Sequence, residues 1–237
     1  MNLLPTATST DVQELQPRVA VLPVGSFEQH GTYLPLITDT AIACVIAQEI
    51  AAAYPVHLLP PITISCSHEH AAFPGTVSIS ARTLYAVIDD IRTSLARSGI
   101  HKLVIVNGHG GNYVLSNVVQ EANVNGPAAS LFPLGLDWDR AREYGGLESD
   151  RHADMHAGEI ETSILLHAAP DLVREGYSDA DHDGGGRPFL LVHGTSNYTE
   201  TGVIGFPSLA SADKGKAVLE SLRESFANHL GVLHASD

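Results

Sequence analysis

Apolar residues in this chain come in blocks that alternate between unbroken runs and helical spacing. Residues 18–25 (RVAVLPVG) form a short continuous apolar run closed by glycine, the pattern of a strand buried on both faces. Residues 38–54 form an alanine-rich stretch of helical length stopped by Pro55. The apolar residues 56–64 are broken by Pro60 and Pro61, which confines them to a strand near an edge or with an irregular end. Ser80 is placed to cap a helix running to about Ser98. Its Leu84, Val87, Ile88, Ile91 and Leu95 repeat at helical spacing, and Gly99 marks its end. Residues 101–106 (HKLVIV) supply the next buried strand. A helix over about 112–123, a strand over 128–134, a helix beginning near His156 and a C-terminal helix over about 212–230 complete the alternation. The pattern predicts a layered α/β domain, and with no repeat or linker residues 1–237 are expected to form a single one. Residues 179–197, rich in Gly, Asp and His without a period, read as a long loop.

Composition narrows the function classes. An apolar share of 44% with 17% charged residues suits a compact core. Thirteen basic against 27 acidic residues give a net charge of −14, which disfavours nucleic acid and anionic membranes as partners. The start lacks a basic segment followed by an apolar one, and no run reaches the ~18 apolar residues of a membrane span. Cys44 and Cys66 match neither a disulfide framework nor a zinc-knuckle spacing. A cytoplasmic protein is expected.

The chemistry-bearing residues sit just after the strand-like runs, where loops of an α/β sheet converge over a crevice. Glu28 and His30 are two apart, so in extended chain they leave the same face, and Asp39 returns after a loop containing Gly31 and Pro35. Two carboxylates and an imidazole suit zinc, manganese or iron(II). Taken alone, these residues equally fit a helix cap at Asp39 with the other two solvated. His109 lies among three glycines (NGHGGN) after a strand, as a ligand or as part of a phosphate cradle, though the segment is neither a P-loop nor GxGxxG. His156 and Glu159 share a face if a helix has begun by Met155, whereas Glu161 points elsewhere. On that geometry Glu159 is the metal ligand, His156 moves a proton or polarises substrate, and Glu161 orients a neighbour. His70, in the polar loop SHEH, is a candidate substrate contact.

The segments LPVGSFEQHGTYLPLITDT, FPGTVSI, NGHGGN, HAGEIETS and TGVIGFPSLASADKG, in that order over Val21 to Gly215, resemble the successive motifs of the creatininase family. The resemblance implies a three-layer α/β/α sandwich with a mostly parallel central sheet, often assembled as a homohexamer. It also implies two divalent metal ions (Zn, Mn or Fe) per subunit and hydrolysis of an amide by a hydroxide bridging them. Glu28, Asp39 and His109 would hold one metal and His30, Asp39 and Glu159 the other, with His156 catalytic. Trp138, Tyr33 and His70 would contact substrate. Creatininase itself carries a glutamate where this chain has Gly111, and His152 stands where it has a second tryptophan, which argues against creatinine. The HAGExET form is similar to formamide hydrolases of the family. Mycofactocin-associated peptidases usually carry a His at position 159. The expected function is therefore cleavage of a non-peptide C–N bond (amide, formamide or cyclic amide) in a small molecule. A peptidase of the mycofactocin type, or a non-catalytic metal- or metabolite-binding module, is the alternative. Arg82, Arg140, Arg142, Arg151 and Arg187 are the residues that would build a phosphate-binding pocket.

Overall fold

The computed structural model describes residues 3–235. Its centre is a four-stranded sheet in the order β2-β1-β3-β4, with every pairing parallel. The central strand β1 (Val19–Val24) is buried at all six positions and pairs along its whole length with β3 (Lys102–Asn107), in register Val19 to Lys102 and Val24 to Asn107. β4 (Ala129–Phe132) lies on the far side of β3. β2 (His57–Leu58) is only two residues long, since Pro60 and Pro61 have no N–H to continue the ladder. An isolated bridge from Val24 to Ile62 resumes the pairing beyond them.

The period of two along β1 sorts its side chains into two cores. Val19 and Val21 pack with α2 (Thr38–Ala53), α6 (Glu159–Ala168) and the long α8 (Ala212–His234), through residues such as Ile42, Ile46, Ile164, Leu222 and Phe226. Ala20, Leu22 and Val24 face α3 (Ala81–Arg97) and α4 (Val114–Ala122), where Leu84, Ile88, Leu115 and Val118 meet them. The result is a three-layer α/β/α sandwich. α3 starts at the Ser80 cap, whose hydroxyl accepts the Thr83 N–H at 3.2 Å.

Two helices carry no apolar stripe in the sequence. α1 (Ser9–Leu15) is held by a Thr8–Asp11 capping box and buries none of its residues. α5 (Gly135–Tyr144) buries only Asp137 and Ala141. The segment over 179–197 is mostly loop, with a short helical turn, α7 (Leu190–His193), followed by a 3-10 turn at Thr195–Asn197. No described helix is long and apolar enough to cross a membrane.

Candidate metal centre

The chain leaving β1, the loop leaving β3 and the start of α6 meet beyond the carboxyl end of the sheet. Glu28, His30, Asp39, His109 and His156 are all buried there. Asp39 occupies the first turn of α2 and divides its carboxylate. Oδ1 lies 2.9 Å from His30 Nε2, while Oδ2 lies 3.0 Å from His109 Nδ1 and accepts the Ser26 hydroxyl at 2.7 Å. Each imidazole is fixed from its other nitrogen. His30 Nδ1 donates to the Glu28 carbonyl at 3.0 Å, and His109 Nε2 donates to the Cys66 carbonyl at 2.8 Å. The nitrogens turned to the carboxylates are then the ones left with lone pairs for a metal.

Glu28 completes the argument for a cation. Both of its carboxylate oxygens are buried without a hydrogen-bond partner, although His109 Nδ1 and His70 Nε2 stand 3.2 and 3.3 Å from Oε1. A buried carboxylate that faces the His109 Nδ1 lone pair and has only the His70 Nε2–H at 3.3 Å to offset it is costly unless positive charge is supplied. The same shortage appears in the protonation tendencies. Burial pulls His30 down, but Asp39 outweighs it and lifts the ring to about 9. Burial, with Asp39 and Asp154 nearby, pushes Glu161 up to about 8 against the pull of His30. Ligand atoms of Glu28, Asp39 and His109 form one compact group, and those of His30, Asp39 and Glu161 a second, each within 4.8 Å. Two divalent ions sharing Asp39 fit these residues.

The second group departs from the expected ligand set, in that the structure brings Glu161 to it and not Glu159. The helix begins at Glu159 rather than near His156, so helical spacing never relates His156 to either glutamate. Ahead of it Ala157 adopts a positive φ of 51°, and its N–H donates to Glu161 Oε2 at 2.6 Å. Glu161 therefore turns back toward His30. Glu159 turns the other way, where its carboxylate accepts the Glu148 and Ser149 N–H groups and the Lys214 ammonium at 2.6 Å.

Burial raises the Glu159 carboxyl, but the Lys214 and Ser149 contacts outweigh it and hold it below its ordinary 4.5. A depressed folded value means the pair stabilises fully above that ordinary value and fades as pH falls through the lower one. Glu159→Ala should cost about 2 kcal/mol at neutral pH, because the Glu148 and Ser149 N–H groups lose a charged acceptor and Lys214 keeps only the Glu148 carboxylate and the Leu209 carbonyl. The difference between wild-type and variant melting temperatures should shrink from pH 7 to pH 3, with metal content unchanged. Loss of metal without loss of stability would return Glu159 to the ligand set.

His156 lies against the cluster, with its ring centroid 4.2 Å from that of His30 and 4.4 Å from that of His70. Its Nε2 donates to the Gln29 carbonyl at 2.6 Å, and Nδ1 stands 3.8 Å from Glu28 Oε1. Burial, followed by His30 and His70, holds its pKa well below 6.5, so the ring is neutral at pH 7.

The candidate substrate contacts separate. Trp138 lines a cavity of about 340 Å³ together with Asn107, His109, Arg142, Arg151 and Glu161. Tyr33 does not line it. That side chain is fully buried in the core, and its hydroxyl donates to the Ala157 carbonyl, which fixes the turn before α6. His70 is also outside the cavity, buried between Glu28 and the Gln29 amide, whose Nε2 lies 2.9 Å from His70 Nδ1. Both sit in polar loops that the neighbouring layers cover, so burial gives them structural contacts. Gln29 is the residue that sequence spacing missed, and Glu161, expected only to orient a neighbour, joins the ligand group instead.

The sequence and the fold have counterparts among known proteins. The chain matches the creatinine amidohydrolase family over residues 5–230. The mycofactocin precursor peptide peptidase of Mycolicibacterium smegmatis is 32% identical over 96% of this chain and 90% of its own length. The creatinine amidohydrolase of Pseudomonas putida is 26% identical over 89% and 87%. A solved structure of creatininase in its Mn form superposes with a TM-score of 0.71 at 24% identity, covering 90% of this chain and 89% of that one. With the family's sequence pattern running through nearly the whole chain and the same sandwich beneath it, this protein belongs to the creatininase family.

Proposed function

We propose that this chain is a metal-dependent hydrolase of an amide-type carbon–nitrogen bond, with two divalent ions held by Glu28, His30, Asp39, His109 and Glu161. The observation that carries this reading is Asp39, whose two carboxylate oxygens each face a different histidine nitrogen. Zinc, manganese and iron(II) all suit the ligand set. Bound there, such ions would supply Lewis acidity toward a carbonyl and bring the pKa of water toward neutrality. The chain's own residues do the rest. The Gln29 carbonyl holds the Nε2 proton of His156, which leaves Nδ1 on the Glu28 side to take a proton and pass it to the departing nitrogen. Trp138 and the cavity wall exclude water and orient the substrate.

The substrate reading rests on the cavity. At about 340 Å³ it suits a small amide, or the end of a larger one. Arg151 adds a preference for an anionic group. Its Nε is held by Asp139 at 2.8 Å, and Gly135 leaves room against its Nη1, so the terminal nitrogens are positioned for a carboxylate or a phosphate. A small non-peptide amide is the first reading. The 32% identity to a peptidase supports a second, in which the anion is the C-terminal carboxylate of a peptide. A histidine at position 159 in such peptidases does not count against it, since Glu159 is engaged by Lys214. Homohexameric assembly, implied by the family motifs, and cytoplasmic residence, expected from the cysteine usage and the lack of an export pattern, belong to the same proposal.

The test is a panel of N-formyl amines, cyclic amides and short peptides, with free and amidated C-termini, on metal-replete protein. Hydrolysis is expected, and Arg151→Ala should raise KM about 10-fold for anionic substrates only. Tight binding without turnover of any member would favour a non-catalytic binding module.

A further inference from the structure

His109 has a second face, turned away from Glu28 and Asp39. There Glu69 Oε1 lies 3.5 Å from Nε2, the same nitrogen that donates to the Cys66 carbonyl. Glu69 belongs to a single helical turn, His68–His70, and its side chain is only 11% exposed. Its backbone carbonyl accepts the Thr195 hydroxyl at 2.9 Å, which ties the turn to a distant loop.

The Glu69 carboxylate fills the space above Gly111. A β-carbon on that glycine would stand 1.8 Å from Oε1 and 2.4 Å from His109 Nε2, whereas one on the adjacent Gly110 would meet nothing within 4 Å. Of these two neighbouring glycines, only Gly111 is required by what packs against it. Its φ is not in the left-handed region, so the requirement is one of space and not of backbone conformation.

We propose that Glu69 is a positioning residue for the metal centre: its carboxylate braces the His109 ring from behind and raises the basicity of Nδ1, and Gly111 is a glycine because that carboxylate and the ring it braces together need its volume. A carboxylate on the far nitrogen fixes ring orientation and strengthens the metal-facing lone pair. The inference rests on the reading of His109 as a metal ligand.

Zinc affinity, measured by chelator competition on the full chain, tests it. Wild-type protein is expected to bind two equivalents. Glu69→Gln should weaken one of them 10- to 100-fold, leaving the equivalent served by His30 and Glu161 near its original affinity. Gly111→Ala should produce a similar loss by displacing the carboxylate. Glu69→Ala combined with Gly111→Ala should lose less than the product of the two single losses, since the truncated carboxylate no longer competes for the space while the contact with the His109 ring remains. Unchanged zinc binding in Glu69→Gln, or losses in the double variant that multiply, would overturn the positioning role. Wild-type protein that binds no zinc, manganese or iron would instead overturn the metal-centre reading itself.

Discussion

Asp39→Ala should empty both metal positions at once and lower turnover by about 10³-fold or more. The expectation follows from the shared carboxylate. Removing Glu161 takes a donor from one group only, whereas Asp39 faces His30 through Oδ1 and His109 through Oδ2. The variant also loses the acceptor for the Ser26 hydroxyl. Asp39→Asn, which keeps the shape and one acceptor oxygen, separates the loss of charge from the loss of packing. Elemental analysis of purified protein is the direct measurement. A variant that keeps two metal equivalents, or wild-type activity that survives exhaustive chelation, would contradict the assignment.

His156→Ala should behave in the opposite way, keeping its metals while kcat falls about 10²- to 10⁴-fold. The ring has a donor site committed to the Gln29 carbonyl and a free nitrogen near Glu28, the arrangement of a proton acceptor held in one tautomer. Because the ring also packs between His30 and His70, the truncation leaves a gap, and His156→Gln is the control for packing. His156 also groups geometrically with Glu28 and His30, so the metal content of the variant decides its role. Metal lost in proportion to activity would make His156 a ligand and not a proton carrier.

How far the sequence revealed these features depended on whether local pattern or remote packing controlled them. β1, β3 and α3 were legible because each is a run whose apolar period follows its burial, save that Val87 of the α3 stripe is exposed. Glu28, His30, Asp39 and His109 could be picked out because they follow strands directly, where chain direction brings loops together. The exchange of Glu159 for Glu161 was not legible. It depends on where α6 begins, and that start is set by Asp154, whose carboxylate accepts the Glu159 N–H at 2.6 Å and the Ile160 N–H at 3.0 Å. Arg142 in turn holds Asp154 at 2.8 Å. A register fixed by a side chain from outside the helix leaves no periodic trace. The burial of Tyr33 and His70 was hidden for the same reason, because the layers that cover them are remote in sequence. α5 was missed because it has almost no apolar face to read.

The rivalry between Gly111 and Glu69 for one volume reaches beyond this single chain. It makes the two positions dependent on each other's history. A lineage that acquires a side chain at position 111 must already have shortened the residue at position 69 and must then shift the His109 ring, since the new β-carbon would meet both. Aligned relatives should therefore contain an acid at 69 with glycine at 111, or a small residue at 69 with a larger one at 111, and both together should be rare. Where the second pairing has arisen, the ring at position 109 would have lost its brace from this side and acquired another.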